Sequence, residues 1–330
     1  MNQSKVAAVV VTYNRKDQLL TSLDALLAQE RTLDAIILVD NCSKDGTREM
    51  LQDMGIIDET ISLESKEKVV SQKQVMAKKP SKDVIAVTFI GLSVNSGGAG
   101  GFYEGVKFGY EAGFDWLWLM DDDGSADPRA LGQLLRYTSK ANFLNSLVLD
   151  IKDPSKLSFE LNYPDGHGVF SNKKEVIDNS VDGIILGQAN PFNGTLVSKI
   201  LIEQIGYPKK EMFIWGDEVD YQYRAAKSGL GIATVVSAIH YHPKAATKIL
   251  NLPFRGLFIA WSGIPIKDYC NVRNTAYIHK KHFPKSVLTT FMKYLIYFVP
   301  RLDFSSLKLC YQATMDGLNE RWGREKNYMK

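Results

Sequence analysis

The chain has 330 residues, 45% of them hydrophobic, with 40 Lys/Arg against 37 Asp/Glu and a formal net charge of +3. That length suits one large α/β domain or two ordinary ones, and the composition excludes a disordered chain or a disulfide-stapled module. Cys42, Cys270 and Cys310 lack metal-type spacing and fit a reducing, cytoplasmic setting, while the absence of any run of about 18 apolar residues argues against a membrane-spanning helix.

Residues 6 to 12 are apolar and β-branched and read as a buried parallel strand, broken by Tyr13-Asn14-Arg15. Residues 16 to 29 repeat leucine at helical spacing. A second strand, 35 to 39, ends at Asp40, and Asp45-Gly46-Thr47 opens a helix to about residue 53. A third strand, 83 to 90, leads through the glycine-rich stretch from Asn95 to Gly101 into a helix over 102 to 112. The apolar, aromatic run 114 to 120 then reads as a strand closing on Asp121-Asp122-Asp123. This βαβα alternation predicts an α/β fold with a mostly parallel sheet flanked by helices. Residues 137 to 185 are irregular. Order resumes with a strand over 192 to 197 and a helix over 199 to 205; after Trp215-Gly216-Asp217-Glu218 come a helix over 219 to 228 and a strand over 232 to 236 leading to His240-Tyr241-His242. Residues 279 to 330 hold 10 Lys/Arg against 4 Asp/Glu, and the aromatic, apolar segment 286 to 299 within them suits either an anionic membrane surface or a helix packed on its own domain.

Charge at a strand exit sits where open α/β sheets bind ligands. In extended backbone Asp121 and Asp123 project to one face and can share a divalent ion, while Asp122 turns away. The bland reading is a solvated acidic turn. The glycine-rich loop, Gly98 within it, lacks the Lys-Ser/Thr ending of a P-loop and the spacing of a dinucleotide fingerprint, leaving a flexible loop into a helix N-terminus where backbone amides can approach an anionic or sugar ligand. Asp40 can accept from a base N–H or a ribose hydroxyl. Asp217 and Glu218 can act as a general base or merely cap a helix. His240 and His242 offer one imidazole ligand, and an oxygen-rich set with one nitrogen suits Mn²⁺ or Mg²⁺.

Taken in order, Val9 to Arg15, Val39-Asp40-Asn41, Asp45-Gly46-Thr47, Asn95 with its glycines, Leu119 to Asp123, Phe192-Asn193-Gly194, Phe213 to Glu218 and Arg224 resemble family 2 glycosyltransferases of GT-A fold, with a weaker echo in Tyr269 to Asn274. Within that family the chain is most similar to bacterial galactofuranosyl- and rhamnosyltransferases. The resemblance implies a Rossmann-like GT-A domain over 1 to 250, its nucleotide-binding half about 1 to 125 and its acceptor half about 126 to 250, with a helical, basic region over 251 to 330. It implies donor contacts at Thr12, Tyr13, Asn14, Arg15, Asp40, Asn95, Gly98, Asp121 and Asp122, and substrate contacts at Asn193, Gly194 and Trp215. Metal ligation falls to Asp121, Asp123 and His242, with His240 as the alternative. Glu218 takes the base position, usually filled by Asp, which keeps Asp217 as a second candidate. The expected reaction is inverting transfer from a nucleotide-diphosphate sugar to a lipid-linked saccharide in cell-wall, capsule or other polysaccharide synthesis, by an enzyme peripheral on the inner membrane face. No nucleic-acid partner is expected, and homo-oligomerisation stays open. The rival readings are a rhamnosyltransferase using dTDP-rhamnose, a sugar-phosphate nucleotidyltransferase and a non-catalytic carbohydrate-binding protein.

Overall fold

Apolar runs form the centre of the sheet in the computed structural model, which describes residues 4–58, 67–78, 83–244, 248–254 and 256–329. In chain order the first half comprises β1 (Val6–Thr12), α1 (Lys16–Leu27), β2 (Ala35–Asp40), α2 (Thr47–Asp53), β3 (Val69–Met76), β4 (Val84–Gly91), α3 (Gly97–Glu111), β5 (Trp116–Asp121), β6 (Ser125–Ala126), α4 (Ala130–Leu135) and β7 (Phe143–Asp150). There follow α5 (Lys173–Asp178), β8 (Ile184–Leu186), β9 (Asn193–Ser198), α6 (Lys199–Ile205), α7 (Asp217–Lys227) and β10 (Ile232–His242). A small β11 (Ile249–Asn251) and β12 (Phe258–Ala260) ribbon precedes α8 (Pro265–His282), α9 (Ser286–Phe298) and α10 (Phe304–Leu318).

Strand order in the large sheet is β3-β4-β2-β1-β5-β9-β7-β10-β6, with β8 paired to β10. β4, β2, β1 and β5 pair in parallel; β9 runs antiparallel to both β5 and β7, and β10 is parallel to β7. Six strands therefore point the same way. Their carboxyl ends bring Thr12, Asp40, Gly91, Asp121, Asp150 and His242 to one rim, the place where open sheets of this kind take ligands. Every residue of β1 and β2 is buried, as expected for parallel strands covered on both faces.

Several elements differ from the sequence expectation, each for a local reason. α3 starts at Gly97, because its glycines permit an approach to the sheet that side chains would block: a Cβ at Gly101 or Gly105 would stand 2.4 Å from Val11 or Val9. β3 is an antiparallel edge strand whose alternating burial gives a weak apolar signal. β7 lies within the stretch read as irregular, fully buried beside β9. β10 continues to His242 after a register shift between Val235 and Ile239, so both histidines belong to the strand rather than to the loop beyond it. α7 begins two residues early, at Asp217.

The C-terminal helices are packed into the molecule through α8. Arg273 is fully buried, pairs with Glu325, and donates from Nη2 to the Met212 carbonyl at 2.8 Å. Neighbouring Asn274 Nδ2 lies 2.9, 3.0 and 2.5 Å from the carbonyls of Met212, Ile214 and Trp215. From the opposite side, Ala99 N–H donates to the Phe213 carbonyl at 3.1 Å, an approach that requires glycine at position 97, where a Cβ would stand 1.9 Å from that oxygen. Four consecutive carbonyls, 212 to 215, are thus held from two sides, although Phe213 and Trp215 adopt left-handed φ of 65° and 60°.

Candidate active site

Consecutive carboxylates cannot all remain charged at a strand end without compensation, and the rim treats each of the three differently. Asp122 turns inward and is buried: Thr12 Oγ1 donates to its Oδ2 at 2.7 Å and Arg15 Nη1 to its Oδ1 at 3.2 Å. Asp123 faces Arg15 Nη1 at 2.6 Å and His242 Nε2 at 3.0 Å. Among the described residues nothing donates to the Asp121 carboxylate; burial and the charges of Asp123 and Asp122 push its pKa up to about 8. Thr12 and Arg15 serve the acidic cluster, a role the sequence reading did not give them.

His242 Nδ1 stands 2.6 Å from the Pro243 carbonyl, which requires a proton on that nitrogen, and its ring lies 4.9 Å from Phe159. Burial acts to lower the His242 pKa, but contact with Asp123 outweighs it and raises the value above the ordinary 6.5. His240 occupies a different position. It is fully buried, neither ring nitrogen has a partner, and burial with the charge of His242 pushes its pKa down to about 3. The ring fits only because residues 124 and 194 are glycines, where a Cβ would stand 2.2 Å from Nε2 and 3.2 Å from Nδ1.

On the neighbouring strands, Asp40 is buried, with Oδ1 accepting from Ser43 N–H at 2.9 Å and Oδ2 from Arg48 Nε at 2.7 Å. Asp45 shapes the following turn, accepting from Thr47 N–H and from Lys16 N–H. Asn14, at φ 52°, accepts from Lys44 N–H at 2.7 Å, and Tyr13 is exposed beside it. Asn95 Oδ1 accepts from Gly97 N–H at 2.8 Å and from Asn41 Nδ2 at 3.2 Å, while Gly98 in the first turn of α3 faces open space. These groups border the carboxyl-end rim of the sheet.

Across the rim Asp217 is buried and Glu218 is partly open to a cleft with a cavity volume of about 420 Å³. Burial, the charge of Glu218 and a hydrogen bond to it hold the Asp217 pKa well above the carboxylate range. The neutral form of Asp217 is thereby favoured beside Glu218, whose Oε2 accepts from Gly216 N–H at 2.9 Å. Asn193 lines the same cleft, Gly194 takes φ 74° against Ser146 and His240, and Trp215 is partly exposed with Lys267 Nζ 5.9 Å from its ring centre.

No three His, Cys, Asp or Glu side chains among the described residues come close enough to form a metal cage. Sequence reasoning also missed Arg273 and Asn274 as the holders of the segment before Asp217. The signal that could have found them was Tyr269 to Asn274, whose polar residues sit inside an apolar helical pattern.

A six-strand co-directional rim, an acidic triplet at the exit of a central strand and a carboxylate pair across a cleft define a glycosyltransferase of GT-A fold. The chain belongs to glycosyltransferase family 2: the model described as "Glycosyltransferase like family 2" matches residues 3–258. It is 32% identical over 280 residues to the galactofuranosyltransferase GlfT1 of Mycobacterium tuberculosis, covering 83% of this chain and 81% of that one. To the GlfT1 of Mycolicibacterium smegmatis it is 29% identical over 325 residues, 97% and 98% of the two chains. Among solved structures, the fold is similar to that of GalNAc-T7 with UDP, GalNAc and Mn²⁺, with a TM-score of 0.57 at 12% identity over 97% of this chain and 57% of that one. It is also similar to that of Staphylococcus aureus TarS 1-349 with UDP-GlcNAc, with a TM-score of 0.54 at 12% identity over 96% and 82%.

The proton held by Asp217 has a measurable consequence. An unfolded Asp ionises near pH 3.9, whereas burial raises the pKa of the folded carboxyl well above that, so this group's contribution to stability falls as pH rises above the unfolded value. Asp217→Asn keeps a donor toward Glu218 and removes the titration. The melting temperature of the variant minus that of the wild type should therefore increase between pH 4 and pH 8; a difference that is flat across that range would contradict a protonated Asp217.

Proposed function

We propose that the chain is an inverting, metal-assisted galactofuranosyltransferase that moves a hexose from a UDP-sugar to a saccharide acceptor on a lipid carrier. The observation that carries the reading is the His242–Asp123 contact. With the Nδ1 proton directed at Pro243, a neutral His242 presents the Nε2 lone pair to a carboxylate oxygen 3.0 Å away. Two acceptors at that distance require a cation between them, either a proton or a metal ion. The donor set fits a divalent ion on chemical grounds, since Mg²⁺-type ions take one or two carboxylates and complete their shell with substrate phosphate rather than with an all-protein cage. Asp123 and His242 would hold Mn²⁺ or Mg²⁺ together with substrate oxygens, with Asp121 beside them adding negative charge, and the ion would supply charge neutralisation of the departing diphosphate.

The protein's own groups carry the rest. Asp40, Asn95 and the first turn of α3 border the nucleotide position, and Arg15 balances Asp122 and Asp123 at its edge. Glu218, oriented by Asp217 and by the Gly216 amide, accepts the proton of the acceptor hydroxyl as that oxygen attacks the anomeric carbon and the carbon–oxygen bond to UDP breaks. Galactofuranose is favoured as the donor sugar because the curated relatives that match over most of this chain are galactofuranosyltransferases.

Glu218→Gln keeps the shape and removes the proton acceptor, so turnover should fall by about two to four orders of magnitude with UDP affinity little changed. If Asp217→Asn is the crippled variant and Glu218→Gln stays active, the roles of the two carboxyls are reversed.

The membrane partner rests on α9 and α10. No helix among the described residues is long and apolar enough to cross a membrane. The outer face of α9 carries Leu288 and Met292 at helical spacing, followed by Val299 and Leu302 in the turn beyond it and by Phe304, Tyr311 and Met315 on α10, all substantially exposed. Lys285 and Arg301 flank α9 and Lys308 lies on α10, all exposed, and Asp303 is engaged in capping α10, so the apolar face has a cationic border suited to anionic lipid. Removing residues 280 to 330 would delete α10 and Glu325, which support α8, so point variants make the cleaner test. Leu288→Glu with Met292→Glu should abolish co-sedimentation with phosphatidylglycerol vesicles at low salt and leave the melting temperature unchanged. Undiminished binding by the double variant would remove this face from the proposal.

A further inference from the structure

The cleft beside Glu218 has its own chemistry. Its lining carries the side-chain amides of Asn162, Gln188, Asn190 and Gln222, and among the described residues none of these amides hydrogen-bonds to the protein. A fifth amide, Asn193, is nine-tenths buried in the same wall; its Nδ2 donates to the Pro191 carbonyl at 3.1 Å, while its Oδ1 has no partner. Unpaired polar atoms at such a depth are uncommon in folded proteins and call for a ligand or water to complete them. The rings of Phe159 and Tyr223 belong to the lining as well, Phe159 also lying against His242 and Tyr223 against His282 and Phe283. Among the described residues of the lining, the charged side chains are Glu160 and Glu218, both acidic.

Side-chain amides supply both donors and acceptors without charge and so match hydroxyl groups, which also do both. Aromatic rings supply an apolar surface for the C–H face of a sugar. With no Lys or Arg among the described residues of the lining, the wall offers an anion no counter-charge, and its two carboxylates repel one. The volume of about 420 Å³ lies within the about 300–1,000 Å³ range of small-ligand pockets. We infer that this cleft is the acceptor subsite, that it takes a neutral, hydroxyl-rich saccharide, and that it discriminates against saccharides bearing a carboxylate or phosphate on the rings it holds. Glu160 is the specificity-determining residue of this discrimination, since it adds charge to the wall without being the base. The inference deepens the transferase reading and rests on it for the role of Glu218.

Calorimetric titration of the full chain with UDP, followed by octyl glycosides of a neutral hexose and of the same sugar oxidised to the uronic acid, tests the inference without requiring turnover. The neutral glycoside should bind at least about 10-fold more tightly than the uronoside. Asn190→Ala with Gln222→Ala should weaken the neutral glycoside by about 10-fold or more with UDP affinity unchanged, and Glu160→Gln should narrow the gap between the two glycosides. Equal affinities for the two glycosides in the wild type, or an unchanged neutral affinity in the double-alanine variant, would overturn the inference. If UDP fails to bind while the neutral glycoside binds as described, the donor reading fails and the saccharide site stands.

Discussion

Like charge concentrated in a poorly solvated place is the constraint around which this rim is built. Asp121, Asp122 and Asp123 follow one another at the exit of β5, and Asp217 adds a fourth carboxyl close enough to feel Asp121. Desolvation makes each charge costly and mutual repulsion adds to that cost, so the fold answers with hydrogen bonds for Asp122, with cations for Asp123, and with protons for Asp121 and Asp217. An array of carboxyls held protonated or paired in this way is stable enough to fold, yet retains sites that a divalent ion and a diphosphate can compete for. The same feature that burdens stability supplies the chemistry.

The second half of the site depends on a backbone held in an unfavourable conformation. Left-handed φ at Phe213 and Trp215 aims the segment leading into α7, and it persists because all four carbonyls from Met212 to Trp215 have donors, supplied by Arg273, the Ala99 amide and the two N–H groups of Asn274. Arg273, on the same turn of α8, is locked by Glu325 from the end of the chain. The proposed membrane-facing helices are therefore joined mechanically to the loop that presents Glu218, the proposed base.

The sequence made the central sheet legible because β1, β2 and β5 are uninterrupted apolar runs, and the order of polar residues at their ends identified the rim. Strand alternation placed Asp121 and Asp123 on one face, but β5 ends at Asp121 and residues 122 and 123 form the turn beyond it, so it is the turn that sets Asp122 against Thr12. Less was readable where the signal depends on tertiary context. β7 is buried but sits among Pro and Gly-rich turns, β3 has the alternation of an edge strand, and the glycines that suggested a loop before α3 in fact form its first turn against β1. His240 and His242 are equivalent in sequence spacing; only the glycines at 124 and 194 and the Pro243 carbonyl distinguish a sealed ring from one that faces a carboxylate. Arg15 as a counter-charge, Arg48 as the partner of Asp40 and Asn274 as a loop holder arise from contacts over long sequence separation, or from packing that periodicity does not encode.

The central claim, that the acidic rim works with a divalent ion on the donor diphosphate, is tested most directly by acceptor-dependent release of UDP from UDP-galactofuranose, measured on protein stripped with EDTA and then resupplied with Mn²⁺. The account predicts that release is lost on stripping, with the fold intact by circular dichroism, and is restored by Mn²⁺ in the wild type but not in Asp123→Ala. Undiminished release from the stripped protein would contradict it.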